Sequence, residues 1–119
     1  MNPHPERARD YLEHILTALE RIQRYTAGKT ADEFIVSTLI QDGVLRNLSI
    51  IGEAAHRLQA EAPEYVKSHP EIPFAKTYAT RNRIAHAYEE VDMEIVWNLV
   101  LKDVPALLPS IAAALNDFD

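Results

Sequence analysis

Ala8, Leu12, Ile15, Leu19 and Ile22 are spaced by alternating steps of four and three. At 3.6 residues per turn that spacing lays them along one stripe, predicting an amphipathic helix over Pro5–Thr26. Gly28 ends it, because glycine enters the left-handed conformation that closes a helix at no steric cost. Asp32 is the expected N-cap of a second, long helix, in which Val44, Leu48, Ile51, Ala55, Leu58 and Ala62 repeat the same spacing. Ile40, Leu45 and Ile50 fall outside that stripe, and a second apolar strip implies a neighbour on two sides.

Pro63, Pro70 and Pro73 interrupt the next stretch, leaving room for at most a short helix near 64–69. Pro73 suits the first position of a third main helix over 73–86, where its missing N–H costs nothing. Asp92 is the expected N-cap of the last helix, whose inner face reads Val96, Leu99 or Val100, Val104, Leu107, Ile111 and Leu115. Pro105 and Pro109 should kink or divide it. No stretch of useful length fits a strand, so the expected fold is all-α, an up-and-down bundle of four main helices with a short fifth, in one domain over 1–119.

Composition agrees with this reading: 47% of the 119 residues are hydrophobic and only three are glycine, which favours a helical core over turn-rich sheet. There is no cysteine, so disulfides, thiolate metal sites and cysteine nucleophiles are excluded together. The first residues carry no apolar run after their charges, and no uninterrupted apolar run approaches the about 18 residues that span a bilayer. A cytoplasmic protein without a membrane role is expected.

The net charge of −6 argues against indiscriminate binding to nucleic acid, which depends on Lys and Arg neutralising phosphates. The charge is uneven, however. Over 75–88 there is no Asp or Glu, while Lys76, Arg81 and Arg83 supply three cations. An acidic body with one cationic segment can still focus a phosphate there.

Three features could carry chemistry. Glu53 and His56 form a Glu-x-x-His pair, the spacing that places two ligands of a di-iron bundle on one helix face. Such centres need a second pair, which the sequence lacks, so no metal site is expected and Glu53 reads as a polar edge facing a basic group. Gly52 costs roughly 1 kcal/mol against alanine inside a helix, so a close helix–helix contact is expected there. The richest constellation is Arg81-Asn82-Arg83-Ile84-Ala85-His86-Ala87-Tyr88. Asn82 and His86 share a face, with Arg83 on the other side of His86. Arg81 lies about 140° around an ideal helix from His86, so the two meet on one phosphate only near a helix end or across a symmetric interface, which points to a dimer. Histidine moves a proton near neutral pH and arginine grips phosphate through paired hydrogen bonds; together they suffice for attack of an RNA 2′-hydroxyl on phosphorus without a metal. The bland alternative pairs the arginines with Glu89, Glu90 or Asp92 and uses His86 to cap the helix.

With these residues in view, the chain resembles the HepT-like toxins of the HEPN superfamily over 7–116. The resemblance rests on the Arg-x4-His-x-Tyr pattern of Arg81, His86 and Tyr88, on Ile51-Gly52-Glu53-Ala54-Ala55, on Pro70-Glu71-Ile72-Pro73-Phe74, and on Trp97 with Asp103-Val104-Pro105-Ala106-Leu107. Phe74 stands where family members usually carry Trp, and Ala79-Thr80 where they often carry Gly-Met. The resemblance implies a HEPN-like bundle and the toxin of a type VII-like toxin–antitoxin pair. Its activity would be that of a metal-independent, cofactor-free endoribonuclease, a homodimer with Arg81 and His86 of both protomers lining one cleft. Asn82 and Arg83 would support the phosphate. A minimal nucleotidyltransferase antitoxin would neutralise it by AMPylation of Tyr88, adding bulk and negative charge where RNA phosphate sits. A second reading of the sequence is a non-catalytic helical partner that binds nucleotide or substrate for a nucleotidyltransferase, favoured by the acidic surface; a third is a dimeric scaffold.

Overall fold

The computed structural model describes residues 5–86 and 91–118, and among these no strand occurs. Its helices are α1 (Pro5–Thr26), α2 (Ala31–Val36), α3 (Thr38–Glu61), α4 (Pro63–Ser68), α5 (Phe74–His86), α6 (Met93–Asn98) and α7 (Val104–Asn116), with a π-helical turn, Leu99–Asp103, joining the last two. The bundle is all-α, and α1, α3, α5 and the α6–α7 helix are its four main members. Helix α3 packs along both α1 and α5, and α7 packs against α1.

The apolar stripes fall where their spacing puts them. Leu12, Ile15, Leu19 and Ile22 of α1 meet Val44, Ile51, Ala55 and Leu58 of α3 in one core, which Val96, Val100, Val104 and Ile111 close from the last helix. Fully burying a leucine or isoleucine contributes roughly 1.5–3 kcal/mol, so this shared stripe sets the helix order. Of the second strip on α3, Leu45 is buried and Ile40 and Ile50 pack half-buried against the same core, so the chain's own helices take up most of it.

Local caps decide the boundaries. Gly28 closes α1 with φ +72°. The long helix expected from Asp32 is instead two helices, and Asp32 is not its cap. Thr30 caps α2, its hydroxyl accepting from Glu33 N while the Glu33 carboxylate accepts from Thr30 N, and Asp32 lies inside the first turn. That reciprocal pair satisfies two otherwise free N–H groups, more than Asp32 could from within the helix. Ser37 then caps α3 by accepting from Ile40 N. The short break lets Phe34 turn inwards and stack on Trp97 of α6, centroids 5.1 Å apart.

Pro73 stands just before α5, its carbonyl accepting from Thr77 N at 3.0 Å. Asp92 caps α6 as expected, its carboxylate accepting from Glu94 N. The last helix is divided just ahead of Pro105, as expected, by the π-helical turn Leu99–Asp103. Lacking an N–H and crowding the carbonyl four residues back, Pro105 is preceded by this turn, in which Val104 N–H donates to Leu99 O five residues earlier. Pro109 sits inside an uninterrupted α7. The whole of Met93–Asn116 is long and apolar enough, at a mean hydropathy of 1.4 over its best window, to cross a membrane by length and composition alone. Here one side of it builds the bundle core through Val96, Trp97, Val100, Val104, Ile111 and Ala114.

Candidate functional site

The site forms where α3 and α5 run antiparallel. A Cβ added at Gly52 would collide with Arg81 Cβ, stand 2.7 Å from Arg81 Cγ and 3.2 Å from Thr77 O. The close contact expected at Gly52 is therefore present, and what enters it is the stem of Arg81. The next residue holds the far end of that side chain: Glu53 Oε2 is 3.6 Å from Arg81 Nη2. Arg81 Nη1 donates to Asn82 Oδ1 at 3.1 Å. Its Nε is buried without a hydrogen-bond partner. With 29% of its side chain exposed, the guanidinium is pinned at its root and reachable at its tip.

Glu53 is itself one link of a longer chain of charge. Arg57 Nε lies 3.7 Å from Glu53 Oε1, and Arg57 Nη1 lies 3.6 Å from Glu61 Oε2. Glu61 accepts from Arg7 Nη1 at 2.9 Å and from Tyr11 Oη at 2.8 Å. The Tyr11 hydroxyl and then the Arg7 guanidinium hold the Glu61 carboxyl below its usual range, and the same bond holds the Tyr11 phenol above its own. Arg81 thus stands at the end of an ion-pair row that follows α3 back to the start of α1.

Arg83 is exposed and Asn82 half-buried. His86 is the last described residue of α5, five positions after Arg81. Tyr88 lies outside the described residues, as do Glu89 and Glu90. Asp92, offered as a partner for the arginines, is engaged in capping α6. Among the described residues of α5, Phe74–His86, there is no acid, and Lys76, Arg81 and Arg83 are its cations.

Glu53 and Gly52, structural by their sequence pattern, are both neighbours of Arg81 in the structure. His56 does not join Glu53 as a ligand pair; its ring stacks on Tyr78 of α5, centroids 4.2 Å apart. Among the described residues no three His, Asp or Glu side chains gather as a metal site would need. A cavity of about 460 Å³ lies beside α5, where Thr77 and Thr80 face Leu48, Ile51 and Leu107. Arg81 does not line it; its wall is mostly apolar, with Glu71, Lys76, Lys102 and Asp103 also lining it.

This arrangement, a buried-root arginine five residues before a histidine on a helix with no acid over 74–86, can be compared with known proteins. The family model "Ribonuclease HepT-like" matches residues 15–114.

The chain belongs to the HepT-like ribonuclease family.

A Thermococcus cleftensis protein named "Probable ribonuclease HepT" is 35% identical over 83% of this chain and 87% of its own length. A Caldanaerobacter subterraneus protein named as a candidate RNase is 32% identical over 83% of this chain and 86% of its own. A Methanocaldococcus jannaschii protein, named as a gamma-glutamylcyclotransferase and candidate RNase, is 37% identical over 92% of this chain. The HepT-like chain spans 48% of that last relative's length. No solved structure matches it.

Proposed function

We propose that this HepT-like chain is the ribonuclease toxin of a type VII-like toxin–antitoxin pair, a cytoplasmic endoribonuclease that needs neither metal nor cofactor. The observation that carries this reading is Arg81, seated in the Gly52 notch and tethered by Glu53, five residues before His86 on a helix free of carboxylates. In the reaction, the 2′-oxygen of RNA attacks the adjacent phosphorus and the bond to the 5′-oxygen breaks. His86 takes the proton of the one oxygen or gives a proton to the other, and Arg81 stabilises the charge that develops on the phosphoryl oxygens. Asn82 and Arg83 support the phosphate. Two protomers form the cleft, so that the guanidinium and imidazole of both face one strand; Val36 and Leu39, with 81% and 84% of their surfaces exposed, are apolar groups available for such an interface.

A minimal nucleotidyltransferase is the proposed antitoxin, transferring the AMP group of ATP to the hydroxyl of Tyr88, two residues beyond His86, with pyrophosphate as the leaving group. The added phosphate would repel RNA from the cationic segment.

Induced expression of the chain without a partner tests this reading, beside Arg81→Ala and His86→Ala at equal soluble level. Growth arrest with RNA fragmentation from the parent alone supports it. Equal growth and intact RNA in all three would favour a non-catalytic partner of a nucleotidyltransferase.

A further inference from the structure

One turn along the α3–α5 seam from the Glu53–Arg81 pair lies the His56–Tyr78 stack, its rings inclined by only 18°. His56 is three residues after Glu53 and Tyr78 three before Arg81, and the helices are antiparallel, so both displacements run the same way, by about 4.5 Å. His56 is exposed and Tyr78 half-buried. Neither residue has a role in the proton transfer or phosphate binding described above, and neither is part of the hydrophobic core. Along α5 the order is then Tyr78, Arg81, His86, with no carboxylate on that helix over 74–86, while Glu53 of α3 stands beside Arg81.

Nucleobases of single-stranded RNA bind by stacking on tyrosine and histidine rings beside a cationic track for the backbone, and each stacked base gains affinity with little dependence on sequence. We infer that His56 and Tyr78 form a nucleobase platform: a base adjoining the cleaved phosphate stacks on the pair while Arg81 holds the phosphate. The inference rests on the ribonuclease reading and adds a subsite to it. It also accounts for how an acidic protein with few phosphate-binding cations gains affinity for RNA, since stacking requires no net positive charge.

The test uses the full-length chain carrying His86→Ala, so that RNA stays intact, and measures binding of a labelled single-stranded adenosine decamer by fluorescence anisotropy. Inorganic polyphosphate, which has the charge but no bases, is the second probe. Added Tyr78→Leu or His56→Leu should each weaken RNA binding about 10-fold and leave polyphosphate binding unchanged, while Tyr78→Phe retains both. RNA binding within twofold of the parent in both leucine variants overturns the platform and leaves the nuclease reading standing. Equal loss of both probes also overturns it, by assigning the pair a structural role. If the His86→Ala parent binds no RNA and the unmodified chain cleaves none, the ribonuclease reading fails and the platform fails with it.

Discussion

Arg81 lies so close over Gly52 that the side-chain stem of the one fills the place where any Cβ of the other would be. Two consecutive residues of α3 therefore act on one arginine of α5: Gly52 admits it and Glu53, 3.6 Å from its Nη2, aims it. The roughly 1 kcal/mol that a mid-helix glycine costs is offset by nothing that alanine could supply here.

Gly52→Ala should therefore destabilise the fold. Overpacking costs about 1–3 kcal/mol, and the upper end applies because the colliding atom is Arg81 Cβ, fixed to the backbone. Allowing about 1 kcal/mol for alanine's better helix propensity leaves a loss of about 1–2 kcal/mol. Thermal unfolding should show a melting temperature lower by several degrees, and ribonuclease activity should fall further than that of an equally destabilised core variant.

In the proposed reaction Glu53, 3.6 Å from Arg81, positions the guanidinium without touching RNA. Glu53→Ala should lower kcat roughly 10- to 100-fold with little change in KM, since misplacing a charge-stabilising group acts mainly on the transition state. Glu53→Gln, which keeps an acceptor but loses the charge, should fall between. Steady-state kinetics on a fluorogenic RNA separates these outcomes, and a Glu53→Ala variant as active as the parent would remove Glu53 from the account.

Much of this was readable from the sequence, because it depends on local rules. Leu12, Ile15 and Leu19 announced the core through spacing alone, Gly28 and Asp92 marked ends, and the cost of glycine in a helix predicted a close contact at position 52. The Thr30-x-x-Glu33 capping box was also legible, but Asp32 drew the assignment because a carboxylate is a strong cap wherever a helix begins nearby. What could not be read depends on register between helices distant in sequence. That Arg81, rather than an alanine, enters the Gly52 notch, and that His56 meets Tyr78, follows from how α3 slides along α5. A division at Pro105 was legible as well, but that it takes the form of a π turn follows from the proline's crowding of a carbonyl inside a packed helix.

Stability at high pH should carry a mark of Tyr65. Its hydroxyl is buried without a partner, and burial, then the nearby Asp117 and Glu71, pushes the phenol from about 10 up to about 12. A raised folded value means that the contribution is complete below the unfolded value and is lost as the pH rises towards the folded one. Stability should decline between pH 10 and about 12, and Tyr65→Phe should flatten that part of the profile without loss at neutral pH, since it leaves no hydroxyl unsatisfied. Denaturant midpoints across the alkaline range give the comparison.

The proposed dimer makes its own prediction. Leu39→Glu places a charge on one of the most exposed leucines, at 84%, and should shift the chain towards monomer in analytical ultracentrifugation while preserving helicity and lowering cleavage. A parent chain that is monomeric at micromolar concentration would contradict the shared cleft.

If Arg81 and His86 cleave RNA, a defined RNA incubated with the purified, partner-free chain in the presence of a chelator should run on a gel as fragments ending in a cyclic phosphate, and should stay intact with folded Arg81→Ala and His86→Ala. Equal cleavage by parent and variants, or none by the folded parent dimer, would contradict that role for the two residues.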